Sequence, residues 1–417
     1  MTGYTSIATS EWDRQTALCG YVDIDDDTVL KPLTPLIGAD ISGINPTQTL
    51  TEPQLELISE ALLRYKVIML RSGGAWKMNP EQHTRLCQQL SDHWGLSADT
   101  EQKKRNASRG LIVHPFLPWL KGYPHIWPTG SVTGGGQQYK LRDREEIEND
   151  EPYQANRSRQ TPKPSVTGSN NGTGGNSVTG GNSMTGGNSV TGGNRSLRPG
   201  SYGISALLAD SVSNGANAFH FDDGFFHQPP SAVVLNAVVL PRIGGDTIFT
   251  DMGAAYRGLD PDFQAYCRQL NQTMDWTHVF PLWEREAAQR SHQGDASLAN
   301  HVQALKTAYP PSLQPLIRQH PVSGELSIYA NFGFTRRIND VSETESREIL
   351  ALLSRMTERP EYQVRLRWAH EGDVCIYDNR ITNHYAVADY GEIGPRSLHH
   401  IALLGEPTVN PSGEVIG

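Results

Sequence analysis

Apolar residues recur along the first part of this chain in two rhythms. Residues 53–64, PQLELISEALLR, carry Leu55, Ile58 and Leu62 at helical spacing, which places one apolar stripe along an amphipathic helix. The run VIML at 67–70 is short and unbroken, as in a strand buried on both faces. A strand-like PLIGADISGI at 35–44 precedes them and a second helix is expected over 79–93, so the opening reads as mixed α/β. Beyond residue 200 strands dominate, at 203–208, 218–222, 231–240 and 246–250, parted by Pro/Gly turns such as LPRIGG. A helix is expected over 252–270, strands near 317–320 and 326–330, and a helix from Ser342, where Ser342 and Glu345 have the spacing of a capping box. Strands near 363–368, 373–377 and 398–403 close the pattern. Antiparallel strands in this number stack as two sheets, so the expected fold is α+β, mainly β: a double-stranded β-helix, or jelly-roll, core with flanking helices.

Between these regions the pattern fails. Residues 128–200 turn polar, then charged, then Gly/Asn/Ser/Thr-rich, and end in NSVTGG, NSMTGG and NSVTGG over 176–193. A six-residue period suits a parallel β-helix, but Val178, Met184 and Val190 are the only candidates for its buried row. Such sequence cannot repay its ordering entropy, and a long disordered insert is expected. The chain then divides into an N-terminal extension (1–30), the N-terminal part of a catalytic domain (31–127), the insert (128–200), the jelly-roll catalytic core (201–408) and a tail (409–417). Doubling a flexible loop costs only about 0.6 kcal/mol. Replacing residues 165–195 by a short Gly/Ser linker is therefore expected to leave the core's binding chemistry intact and to shift the melting temperature by a few degrees at most. Unfolding on that deletion would make the repeat a packed element.

Composition narrows the partners. A length of 417 residues exceeds a usual single core, and an apolar fraction of 37% with 40 glycines fits an ordinary domain diluted by the insert. The net charge is -9 and no basic run stands out, which excludes a nucleic-acid footprint. No apolar run approaches the roughly 20 residues of a membrane span. The opening MTGYTSIATSEWDRQ lacks the basic and apolar regions of a secretion signal. A soluble, cytoplasmic protein acting on a small molecule is expected, and a homo-oligomer is compatible with everything here. Cys19, Cys87, Cys267 and Cys375 are scattered without CxxC spacing, as reduced thiols are.

The chemistry begins at His220-Phe221-Asp222. On a strand, residues two apart share a face, so this imidazole and carboxylate can converge on one ion. Two histidines and one carboxylate with open positions suit non-haem Fe(II). The plain alternative is a surface histidine beside an acid. Two other segments raise the odds: the turn Gly244-Gly245-Asp246-Thr247, and YDNRITNHYAVADYGEIGPRSLHH, which carries His384 and Arg396. His384 can complete a triad, and Arg396 offers a planar fork to a carboxylate.

The stretches HFDDGFFHQPPSAVVLNAVVLPRIGGDTIFTDMGAAY, HPVSGELSIYANFGFTRRINDVSETES and GDVCIYDNRITNHYAVADY resemble, in content and order, the taurine dioxygenase (TauD/TfdA) family of Fe(II)/2-oxoglutarate-dependent dioxygenases. PLIGADISGI and RYKVIMLR resemble that family's opening, and the likeness covers residues 30–120 and 200–408. It implies that His220, Asp222 and His384 hold iron, that Thr247 hydrogen-bonds the cosubstrate, and that Arg396 pairs with the oxoglutarate C5 carboxylate. It further implies that His114, in VHPFLPW, meets substrate. Where taurine-specific members carry a sulfonate-binding arginine, four residues past the cosubstrate arginine, this chain has His400, which the resemblance likewise places against substrate, as a donor without fixed charge. Taurine is therefore not the expected substrate. The implied cofactors are Fe(II), 2-oxoglutarate as cosubstrate and O2. The implied reaction is hydroxylation of a small anionic or amino-acid-like compound, with oxoglutarate leaving as succinate and CO2. Desaturation or isonitrile formation needs the same triad. A non-redox metal-binding jelly-roll protein would have no use for Thr247 and Arg396. Arg336 and Arg337 lie in a segment the family places near the site, and otherwise read as surface charge.

Overall fold

The structure, a computed structural model, describes residues 20–96, 110–130, 139–140 and 219–416, save positions 26, 115, 116, 118, 279, 280, 295, 391 and 392. The repeat, the strand expected over 203–208 and Cys19 lie outside the described residues.

Eight strands form one sheet, in the order β1 (Val22–Asp23), β2 (Val29–Pro32), β3 (Ala39–Ser42), β4 (Val67–Leu70), β9 (Val374–Asp378), β6 (Ala232–Val239), β11 (Ser397–Ala402), β5 (Trp127–Gly130). Only the β3 and β4 pair is parallel. A smaller sheet has the order β8 (Gln363–Leu366), β7 (Thr247–Asp251), β10 (Thr382–Ala386), all antiparallel. Alternate residues of the large sheet enter two different cores. Val67, Met69, Val233, Leu235, Cys375, Tyr377 and Leu398 pack towards Phe249, Val364 and Leu366 of the small sheet. Ile68, Leu70, Val234, Val374, Ile376 and Ile401 face the other way, onto Ile58, Ala61 and Leu62 of α1 (Glu52–Tyr65) and Leu86, Cys87 and Leu90 of α2 (Pro80–His93). This explains why β4 reads as an unbroken apolar run and β9 is apolar from Val374 to Ile376: both faces are covered, and each buried aliphatic side chain contributes roughly 1.5–3 kcal/mol.

Local signals set most boundaries. Asn79 and Gln82 cap α2 reciprocally, at 2.8 and 2.9 Å, and Ser342 and Glu345 do the same for the helix Glu343–Thr357, at 3.2 and 2.8 Å. The helix expected over 252–270 is instead two, Met252–Arg257 and Pro261–Cys267. The Asp260 side chain accepts from the Asp262 amide ahead of a proline that can only begin a helix. The strand expected over 218–222 is, among the described residues, a single bridge at His220. All of β5 after Trp127 falls in the stretch that composition assigned to the insert, yet it pairs with β11. Helices Pro281–His292 and Ser297–Ala308 and strands Asn271–Met274, Ser312–Pro315 and Thr335–Ile338 were not foreseen. Trp276, Leu305, Phe225 and Tyr329 form a separate core beside them.

Cys87, Cys267 and Cys375 are buried free thiols, and burial pushes Cys267 up to about 11. No helix among the described residues is long and apolar enough to cross a membrane.

Candidate active site

The backbone of one short segment does most of the positioning. His220 and His384 exchange both backbone hydrogen bonds, at 3.0 and 2.6 Å, which adds His220 to the small sheet beside β10. Asn379, buried at the end of β9, accepts from the Asp222 amide at 2.8 Å and donates to the Asp222 carbonyl at 3.0 Å. Asn331 donates to the Phe221 carbonyl at 2.5 Å. Asp223 then turns the chain with φ 53, a conformation that Asp tolerates better than most residues.

Held this way, His220, Asp222 and His384 present one ligand atom each within 4.8 Å of one another. Both imidazoles offer Nε2 to Asp222 Oδ1, His220 at 3.8 Å and His384 at 3.9 Å, and the two rings lie 4.2 Å apart. Burial pushes the His384 imidazole down to about 3, with His220 beside it acting the same way. Burial alone would raise the Asp222 carboxyl, but His384 and His400 hold it well below the usual carboxylate range. A neutral imidazole next to an ionised carboxylate is the protonation state a divalent metal requires. The donor set, two nitrogens and one oxygen, fits Fe(II).

Arg396 is 3% exposed, and burial pushes its pKa down. Its Nε donates to the Gly245 carbonyl at 2.8 Å and an Nη to Thr247 Oγ1 at 3.1 Å, and among the described residues no carboxylate pairs with it. Gly245 is required here. It has φ +74, and a Cβ would stand 2.8 Å from Arg396 Cδ. Trp368 Nε1 also donates to Thr247 Oγ1, at 3.1 Å. With both lone pairs of Thr247 taken, its own proton is left to donate to an acceptor beside the guanidinium. A buried cation whose hydrogen-bond partners are neutral is costly unless an anion joins it, so the geometry suits a ligand carboxylate at this place.

Two residues expected to meet substrate face acidic groups instead. His114 Nε2 lies 3.1 Å from Asp223 Oδ1, and its Nδ1 accepts from the Leu117 amide at 2.9 Å, so both ring nitrogens are engaged. His400 Nε2 lies 3.0 Å from Asp222 Oδ2. Arg336 and Arg337 are exposed, and Arg336 pairs with Asp275 at 2.9 Å, as surface charge does. Sequence reasoning missed Asn331, Trp368, Tyr377 and Asn379. The readable signal for two of them was polar Tyr377 and Asn379 closing an otherwise apolar buried run.

Several known proteins resemble this chain. The profile of the family described as "Taurine catabolism dioxygenase TauD, TfdA family" matches residues 187–402. An alpha-ketoglutarate-dependent sulfate ester dioxygenase of Pseudomonas putida is 34% identical over 48% of this chain and 64% of its own length. An alkylsulfatase of Acinetobacter baylyi is 30% identical over 92% of this chain and 87% of its own. The crystal structure of a putative alpha-ketoglutarate-dependent taurine dioxygenase from Burkholderia xenovorans shares the fold, with a TM-score of 0.58, 22% identity and coverage of 93% and 96% of the two chains.

Proposed function

The chain belongs to the taurine catabolism dioxygenase TauD, TfdA family, and from that premise we propose that it is an Fe(II)- and 2-oxoglutarate-dependent dioxygenase that hydroxylates a small organic anion. We read its facing sheets as the double-stranded β-helix of a jelly roll, with His220, Asp222 and His384 holding the iron at the open edge between them. The observation that carries this is the triad together with a buried guanidinium, Arg396, close enough for its charge to act on the His384 imidazole and without a carboxylate partner among the described residues. Bound there, Fe(II) with 2-oxoglutarate and O2 supplies the oxidising power for inserting oxygen into a C–H bond, the cosubstrate leaving as succinate and CO2.

The protein's own part is binding, orientation and charge. Asp222 with a divalent ion leaves a net +1, a dianionic cosubstrate brings this to -1, and Arg396 returns the pocket to neutrality, as a buried site needs. Arg396 and the Thr247 hydroxyl hold the distal carboxylate and so fix which end of the cosubstrate faces the triad. Trp368 holds Thr247 in the donating orientation.

The names of the relatives point to sulfate esters as the substrate class. Hydroxylation of the carbon that bears the sulfate oxygen gives a hemiacetal-like product, which falls apart to an aldehyde and inorganic sulfate. Anaerobic titration with Fe(II) and 2-oxoglutarate is expected to raise a visible metal-to-ligand charge-transfer band. Metal binding without that band would favour a non-redox site. Primary alkyl sulfates are then expected to stimulate succinate formation more than taurine does, since the names of these relatives point to sulfate esters and the position of the sulfonate-binding arginine of taurine-specific members holds His400, which Asp222 already engages. Efficient release of sulfite from taurine would overturn that order.

A further inference from the structure

The two oxygens of Asp222 live in different surroundings. Oδ1 faces Nε2 of both triad histidines, at 3.8 and 3.9 Å. Oδ2 accepts from the Tyr377 hydroxyl and from His400 Nε2, the latter at 3.0 Å. Tyr377 comes from β9 and His400 from β11, the two strands that flank β6. Tyr377 is paired with Val233 and His400 with Leu235, two positions apart on the same inner face, so both reach one carboxylate.

Each donor is fixed by its neighbours. Tyr377 is fully buried, with Phe249 and His384 at 5.0 and 5.1 Å between ring centres, and its hydroxyl donates to the carboxylate. A carboxylate only accepts, which requires the proton of His400 to sit on Nε2. Its Nδ1 is buried with no partner among the described residues, and the ring stacks on Trp127 at 4.2 Å with 27° between planes. Trp127 is the residue paired with His400 in the register between β5 and β11.

We propose that Tyr377 and His400 are positioning residues that grip Asp222 Oδ2, so that the carboxylate offers a metal Oδ1 alone. The inference rests on reading Asp222 as a metal ligand. Turning the carboxylate to bind through both oxygens would break two hydrogen bonds to an ionised group, the strong kind. A carboxylate confined to one oxygen takes a single coordination position and leaves the rest to cosubstrate and O2. His400 accordingly acts on the ligand and not on the substrate.

Mn(II) affinity, read from the electron paramagnetic resonance signal of the free ion without oxoglutarate, tests this apart from catalysis. Tyr377→Phe and His400→Leu are each expected to weaken Mn(II) by about 10- to 100-fold, the usual effect of removing a group that orients a ligand. His400→Gln, which keeps an N–H in reach, is expected to recover most of the loss. In the Co(II)-substituted protein, Tyr377→Phe is expected to alter the visible band intensity, because a second bound oxygen changes the coordination number. Wild-type Mn(II) affinity in folded Tyr377→Phe and His400→Leu would overturn the grip and leave both residues as packing. Absence of Mn(II) binding by the wild-type protein would instead overturn the metal reading itself.

Discussion

Asp222→Ala is expected to abolish oxoglutarate turnover, both substrate-stimulated and uncoupled. His220→Ala and His384→Ala are expected to do the same, each by about 1,000-fold or more, the scale on which members of a cooperating catalytic set fail. Asp222 brings the only fixed negative charge of the triad, and its loss leaves two neutral imidazoles that cannot retain a labile divalent ion. It also strands the Tyr377 hydroxyl and His400 Nε2 without their acceptor. His220 and His384 hold each other through the backbone, so an alanine at either position keeps the bridge and removes only the ligand. The fold should therefore survive these histidine changes. The measurements are succinate formation under air and anaerobic Fe(II) binding. Near-normal activity in any one variant would exclude that residue as a ligand.

Arg396→Ala is expected to weaken 2-oxoglutarate by about 2–5 kcal/mol, roughly 30- to several-thousand-fold, since it removes the partner of a desolvated carboxylate. Iron affinity measured without cosubstrate is expected to change little. Arg396→Lys is expected to rescue only in part: an ammonium is a point charge and cannot donate to the Gly245 carbonyl and Thr247 from one planar group while still facing a carboxylate. Unchanged oxoglutarate affinity in Arg396→Ala would show that another group binds the distal carboxylate.

The three residues of the candidate metal site and the arginine could be picked out of the chain because their chemistry dictates residue types and their segments carry local signals. His220 and Asp222 lie two residues apart, and the glycine pair before Thr247 marks a turn that only glycine makes at Gly245. What the triad required in space was not written in any single segment. His220 was expected in a strand and is a lone bridge, and its register depends on His384 more than 160 positions later. His114 and His400 were assigned to substrate by position in a motif, whereas the geometry turns both onto aspartates.

By itself the sequence determined the periodic elements. The buried runs of β4, β6 and β9, the amphipathic α1 and the capping box at Ser342 are all decided by neighbours within a few residues, where sterics and hydrogen bonding are local. It determined the residue types of the site for the same reason, since a metal, a carboxylate and a tight turn each accept few side chains. Only the tertiary structure decided that Trp127–Gly130 closes the edge of the large sheet. It alone brought Trp368 onto Thr247, and Tyr377 and His400 onto one oxygen of Asp222. Those contacts join segments far apart in the chain through strand register and sheet packing, and register is set by which faces are buried together, a property of the assembled sheets that no local pattern encodes.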